Sequence, residues 1–241
     1  ISYEQDHTLL GTTEVELTGE PDDAAQASAD EVDYLCAHAS RSLRRAVTPA
    51  DVVWTYSGVR PLVEAEGEAR VLSRDHLLDA QDDGAPLLTV WGGKITGYRT
   101  LAEDVAGELG RLLGEARRPW TATAALPGGD LSARVAVSAD PQADFAAYVE
   151  SLRRSRPWLP PALAWSLCRR HGSRVERLLD GAAALADLGA AIVPGLHEAE
   201  LRWLQREEWA READDVLWRR TKLGLRCDAA GRDRLVQALA H

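Results

Sequence analysis

Ala85-Pro86-Leu87-Leu88-Thr89-Val90-Trp91-Gly92-Gly93-Lys94-Ile95-Thr96-Gly97-Tyr98-Arg99 reads as a strand that passes into a helix through a glycine pair. The run at 87–91 is apolar and β-favouring, which predicts a buried strand, and Pro86 opens it where a missing N–H does little harm. From Tyr98 onward, Tyr98, Leu101, Ala102, Val105, Leu109 and Leu112 follow helical spacing, so the chain turns within 92–97 and Thr96 is the expected N-cap. Such a junction aims unpaired N–H groups and the positive end of the helix dipole at whatever sits against the turn, and Lys94 adds a full charge. It is a candidate site for an anionic group, although a glycine-rich turn before a helix is more often only a tight turn.

Upstream, the alternation of Glu14, Val15, Glu16 and Leu17 predicts a half-exposed strand over 8–17. A turn at 19–23 follows, and Ser28 with Glu31 forms a capping box ahead of a helix carrying Val32, Leu35, Cys36, Ala39 and Leu43. Thr48-Pro49 breaks that helix, and Val52-Val53-Trp54-Thr55-Tyr56 reads as a second strand ending at Ser57-Gly58-Val59-Arg60-Pro61. Pro61 keeps Arg60 extended just past a glycine that permits close approach, so its guanidinium is a stiff anchor for phosphate or carboxylate. With 38 acidic residues available, an ordinary salt bridge explains Arg60 equally well at this stage. An acidic loop at 64–69, then Ser73-Arg74-Asp75-His76, leads by way of Asp82-Asp83-Gly84 back to the opening strand.

Past Arg117-Arg118-Pro119 the pattern becomes almost wholly helical, and a second domain is expected to begin there. Helices are predicted at 141–154, 160–171, 173–179, 197–212, 214–223 and 228–240. Trp158, Trp165, Trp203, Trp209 and Trp218 are expected to pack their core. Arg219-Arg220-Thr221-Lys222 ends one of these helices, where cations complement the dipole, so this basic run needs no ligand.

The net charge of −10 argues against non-specific nucleic-acid binding, and any anion site must therefore be local. Cys36, Cys168 and Cys227 stand far apart, which fits a reducing compartment rather than a disulfide framework. No histidine has a second ligand at metal-binding spacing, so no metal site is expected, and His76 reads as structural or exposed. The most apolar run, 181–196, carries Asp187 and Pro194 and is too short to span a bilayer. The chain starts at Ile1 and has no methionine, so we expect a fragment of a longer protein.

Four segments, in order, resemble the FAD-dependent respiratory glycerol-3-phosphate dehydrogenases. They are Leu10-Gly11-Thr12-Thr13-Glu14; the stretch from Asp51 through Trp54-Thr55-Tyr56-Ser57-Gly58-Val59-Arg60-Pro61; Ala85 through Leu101, centred on Trp91-Gly92-Gly93-Lys94; and Ala213 through Trp218-Arg219-Arg220-Thr221-Lys222-Leu223-Gly224. Pro119-Trp120-Thr121 and Leu126-Pro127-Gly128-Gly129 look like further landmarks of that family. Its members begin with a Rossmann-type FAD domain carrying Gly-x-Gly-x-x-Gly, which does not occur here, so that domain and the catalytic residues are expected upstream of Ile1.

The resemblance implies an α+β N-terminal piece, 1–118, holding parts of the substrate sheet and the FAD-domain return strand and helix. An all-α C-terminal cap domain, 119–241, would follow it. It implies that Arg60 and Lys94 bind substrate, and that Gly58, Gly92, Gly93, Lys94, Ile95 and Thr96 lie against FAD. The implied reaction is oxidation of glycerol 3-phosphate to dihydroxyacetone phosphate with electrons passed to quinone. The implied setting is a peripheral protein on the cytoplasmic face of the cell membrane, often a homodimer. Gly97 stands where the family usually has a second threonine, Glu14 where aspartate is usual, and Trp91 where phenylalanine is usual. Two other readings stand beside this one: a glycerol-3-phosphate oxidase that uses oxygen, and a non-catalytic helical interaction or dimerisation module. The fragment alone is expected to retain no FAD and to be inactive.

Overall fold

Asp83-Gly84 lies at the fold point of an antiparallel hairpin, and that hairpin presents the glycine turn. The computed structural model describes residues 1–4, 6–15, 26–59, 75–81, 83–115 and 117–240, and the chain divides into two units, Ile1–Ala122 and Thr123–His241. Arg60, the 19–23 turn and the 64–69 loop lie outside the described residues.

In the first unit, β1 (Ser2–Tyr3) pairs antiparallel with β2 (His7–Thr8). Of the strand expected over 8–17, the described residues 8–15 show strand only at Thr8. Residues 9–15 are irregular, because no described strand runs beside them to complete a ladder. Helix α1 (Ala29–Ser40) starts as its sequence dictates: Ser28 Oγ accepts from Glu31 N at 3.2 Å, and Ser28 N donates to Glu31 at 2.9 Å. Thr13 donates to the same carboxylate at 2.6 Å, and this bond, with those from Ser28, holds Glu31 below its ordinary 4.5. Residues 52–56 are not a strand either. They follow a short 3-10 turn, Pro49–Asp51, with Val53 and Tyr56 exposed and Trp54 stacked on Tyr56 at 5.1 Å.

The hairpin pairs β3 (His76–Gln81) with β4 (Leu87–Gly92), and its register sets His76 opposite Gly92 and Gln81 opposite Leu87. Strand β4 is not buried as its composition predicts. Leu87, Val90 and Trp91 are exposed, because a two-stranded ribbon has too little packed on it to cover both faces. After the glycine pair, Ile95–Gly97 makes one 3-10 turn before helix α2 (Tyr98–Leu112), so the N-cap is Gly97 rather than Thr96. Glu103 on α2 accepts from Thr121 Oγ1 at 2.5 Å and pairs with Arg99 at 3.2 Å, fastening 119–121 to the helix. Among the described residues of this unit, Cys36 is the one buried hydrophobic side chain.

The second unit has a genuine core. Helices α3 (Pro141–Ser155), α4 (Pro161–His171) and α5 (Val175–Leu178) enclose Tyr148, Leu152, Leu163, Leu167 and Val175. A short hairpin of β5 (Ala191–Val193) and β6 (Leu196–His197) interrupts the helices, so the unit is mostly helical rather than all-α. Pro194-Gly195, with Gly195 at φ 83°, is the tight turn that permits it. Helix α6 (Glu198–Glu208), a π-helical segment Asp215–Arg220 and α7 (Ala229–Leu239) then enclose Leu196, Leu201, Trp203, Leu204, Val216 and Leu235. The helices expected over 197–212 and 214–223 are thus shorter, the first ending where Trp209 adopts a left-handed conformation. Trp209 is 77% exposed and packs in no core, whereas Trp203 is 2% exposed and Trp158, Trp165 and Trp218 are partly buried against the two clusters. Leu126-Pro127-Gly128-Gly129 lies on the end of α4, where Ser173 N donates to Gly128 O at 2.9 Å; a Cβ on Gly172 would strike that carbonyl.

Glu200 is the charged centre of this unit. It accepts from Arg170 at 2.7 and 2.8 Å and from His171 at 2.8 Å, and so ties α4 to α6 inside a buried site. Burial alone would raise its carboxyl, but the His171 hydrogen bond and the Arg170 charge outweigh that and hold it below its ordinary 4.5. A second carboxylate, Glu176, accepts from Arg134 and Tyr148 and pairs with Arg156 at 3.0 Å. Near it, burial pushes the Cys168 thiol up to about 12, which keeps it protonated and inert.

Because the Glu200 carboxyl is depressed in the folded state, its contribution is complete above 4.5 and is lost as pH falls through its lower folded value. Glu200→Gln is expected to cost about 3–5 kcal/mol at neutral pH, since it strands a buried guanidinium and imidazole, and to flatten the acid limb of stability. Urea denaturation at several pH values measures both effects.

Candidate functional site

The strand-to-helix turn carries a cleft of about 240 Å³ lined by Asp75, His76, Gly93, Lys94, Thr96, Gly97, Thr100 and Leu101. Its shape follows from backbone chemistry. Gly92 at φ 68° and Gly93 at φ 102° lie in the region that favours glycine, and two such residues in succession swing the chain from the strand to the helix. Gly93 has the Cβ of His76 at 3.4 Å from where its own would be, whereas Gly97 meets nothing within 4 Å and leaves the cleft open.

Gly97 offers no side chain to cap α2, and Thr100 Oγ1 donates to the Gly97 carbonyl at 2.9 Å, so the first N–H groups of the helix carry no side-chain acceptor. The Lys94 carbonyl accepts from Gly97 N at 2.9 Å, while its ammonium has no hydrogen-bond or ion-pair partner among the described residues. An unpaired ammonium beside an uncapped helix start fits an anionic group with an exposed edge, and the glycines let such a group approach the backbone.

The structure brings Gly93, Lys94 and Thr96 to this cleft. Gly92 ends the strand beneath it, and Ile95 turns its side chain to solvent at 87% exposure. Gly58 is exposed in the irregular 52–59 segment and does not line the cleft. His76 lines it as well, and its Nε2 lies 3.1 Å from Asp104 Oδ2 on α2. The sequence held the signal for this: Asp83-Gly84 between two apolar runs marks a hairpin, and counting outward from Gly84 sets His76 against Gly92.

A second cleft, of about 340 Å³, lies on the helical unit among Glu176, Arg177, Asp180, Trp203 and Arg206. Arg174, Arg177 and Arg206 lie over the Trp203 ring at 4.8, 5.7 and 5.7 Å, and Arg174 and Arg206 both pair with Glu207 at 2.9 Å. These cations brace α5 against α6. The basic run at 219–222 is likewise consumed: Arg219 pairs with Asp215 at 3.0 Å, Arg220 donates to Glu208 O at 2.9 Å, and Lys222 donates to Trp218 O. Among the described residues no cluster of side chains is arranged to hold a metal, and no helix is long and apolar enough to cross a membrane.

Residues 120–240 match the family described as the C-terminal domain of alpha-glycerophosphate oxidase. The chain is 39% identical over 244 residues to an aerobic glycerol-3-phosphate dehydrogenase of Escherichia coli (strain K12), a match covering 100% of this chain and 46% of that protein. It is 37% identical over 237 residues to a D-erythritol 1-phosphate dehydrogenase of Brucella abortus (strain 2308), covering 98% of this chain and 45% of that protein. It is 38% identical over 242 residues to a glycerol-3-phosphate dehydrogenase of Pseudomonas aeruginosa, covering 99% and 45%. The chain thus spans about half the length of the curated relatives it matches.

The turn makes a direct demand on its two kinds of glycine. Gly93→Ala, at positive φ and against His76, is expected to cost roughly 1–3 kcal/mol. Gly97→Ser, at φ −93° in open space, is expected to stay within about 0.5 kcal/mol of the parent. Chemical denaturation of the two variants side by side measures the difference, and equal costs would remove the strain argument.

Proposed function

Since the chain belongs to the glycerol-3-phosphate oxidase and dehydrogenase family, we propose that it is the C-terminal portion of an FAD-dependent enzyme oxidising sn-glycerol 3-phosphate to dihydroxyacetone phosphate. The observation that carries this is the cleft at the glycine turn, where the Lys94 ammonium, unpaired among the described residues, and a helix start with no side-chain cap face one opening. A second observation supports a partnered flavin half. The first unit has one buried hydrophobic side chain among its described residues and leaves Val53, Tyr56, Leu77, Leu87 and Trp91 in solvent, as expected of elements that complete a larger sheet.

On this reading, 1–118 supplies part of the FAD and substrate region and 119–241 forms the helical C-terminal domain. FAD, when bound, would supply the acceptor for the hydride that leaves C2 of the substrate. By resemblance, Gly58, Gly92, Gly93, Lys94, Ile95 and Thr96 lie against the flavin. Lys94 and the α2 dipole favour negative charge at the edge of the ring, which a preorganised cation does without reorganising. Arg60, by resemblance, binds the phosphate or the C2 oxygen through its paired donors. The fragment alone holds no FAD and is inactive, and the residue that removes the C2 hydroxyl proton lies in the other half.

Quinone as acceptor, a peripheral place on the cytoplasmic face of the membrane and a homodimer are part of the same proposal, and all rest on the family. Peroxide yield during turnover separates the quinone enzyme from an oxygen-using oxidase. The D-erythritol 1-phosphate dehydrogenase among the relatives favours a second reading in which the substrate is a four-carbon polyol phosphate. Comparing kcat/KM for glycerol 3-phosphate and D-erythritol 1-phosphate in the full-length protein decides between them. In that protein Arg60→Ala is expected to raise the KM for the phosphorylated substrate about 10- to 100-fold while FAD stays bound, because a charge-assisted contact is worth about 1.5–3 kcal/mol. An unchanged KM would remove Arg60 from the site.

A further inference from the structure

We propose that His76, braced by Asp104, is a second anion-binding group of the cleft, and that its protonation sets how tightly the cleft holds an anionic oxygen. The inference rests on the flavoenzyme reading above. His76 opens β3 opposite Gly92, packs its Cβ at 3.4 Å from the side-chain position of Gly93, and lines the same cleft as Lys94. Its Nε2 is taken by Asp104 Oδ2 at 3.1 Å, across 28 positions of sequence, so the ring spans from the strand to the helix over the turn. As a surface ion pair this contact is worth at most about 1 kcal/mol, too little to define the turn that the glycines already impose.

The consequence lies at the other ring nitrogen. With Asp104 accepting from Nε2–H, a neutral ring presents Nδ1 as an acceptor, which repels an anionic oxygen. A protonated ring presents Nδ1–H as a donor, and histidine is the side chain whose charge changes between about pH 5 and 8. Among the described residues, the charged groups that line the cleft or touch the ring are Asp75, Lys94 and Asp104. Asp104 holds the ring by Nε2, and Lys94 adds its own charge on the turn. Two sources can provide the anionic oxygen: the phosphate of the substrate, or the flavin ring edge as it gains charge on reduction.

The test uses the flavin-loaded full-length protein, its His76→Gln variant and its Asp104→Asn variant, with sulfate as a probe whose charge is constant over the range. Two quantities are followed from about pH 5 to 8: the inhibition constant of sulfate against the phosphorylated substrate, and the reduction potential of the bound flavin. If the phosphate is the anion, wild-type sulfate affinity falls about 5- to 10-fold as pH rises, His76→Gln is weak and flat, and Asp104→Asn is weaker than wild type at low pH. If the flavin is the anion, sulfate is indifferent and His76→Gln changes the pH slope of the potential. Curves that superimpose in both measurements for all three proteins overturn the proposal while leaving the flavoenzyme reading intact. A wild-type protein that binds no flavin overturns both.

Discussion

Two successive glycines in the left-handed region, Gly92 and Gly93, are the constraint on which the first unit depends. A residue with a Cβ resists φ of 68° and 102°, and without those angles β4 could not deliver the chain to α2 within a few residues. Everything notable about the cleft follows from that reversal. It exposes the start of α2, which no side chain caps, sets the Lys94 ammonium where no described residue pairs with it, and brings β3 close enough for His76 to reach Asp104. The residues are ordinary, and their arrangement around a backbone that side chains cannot fill gives them a use.

The two units solve the stability problem differently. The helical unit buries two contiguous clusters and sets a charged centre, Glu200 between Arg170 and His171, where α4 meets α6. A buried ion cluster of this kind carries a desolvation cost and is sustained by complete pairing, which is why a single neutralised partner is damaging. The first unit has secondary structure without a comparable core, and its apolar side chains at 53, 56, 77, 87 and 91 face solvent. Hairpins are marginal alone, so these elements are built to be covered.

How far the sequence was legible depended on whether a signal was local. The Ser28/Glu31 box, the Asp140-Pro141 start of α3 and the Asp228 cap of α7 are short-range hydrogen bonds, and each helix begins where its cap predicts. The glycine reversal was legible for the same reason. Strands at 8–17 and 52–56 were not, because β-propensity registers an apolar ribbon but says nothing about whether a partner strand lies beside it. Trp209 misled in a related way: its spacing suits the face of α6, yet the helix ends there in a left-handed residue and the ring is left outside. His76 could have been found from the Asp83-Gly84 turn, while its bond to Asp104 depends on the tertiary position of α2. Arg60 is legible as an anion anchor from Gly58 and Pro61, its role toward substrate comes from the resemblance alone, and it lies outside the described residues.

The central claim is that this chain supplies one wall of a flavin site whose other wall comes from a preceding half. The visible absorbance of two purified proteins, the full-length protein and residues 1–241 alone, tests it most directly when each is titrated anaerobically with glycerol 3-phosphate. The account predicts one equivalent of flavin in the full-length protein, bleached by the substrate, and none in the 241-residue chain. Stoichiometric flavin in the short chain, or a full-length protein whose flavin the substrate leaves oxidised, would contradict it.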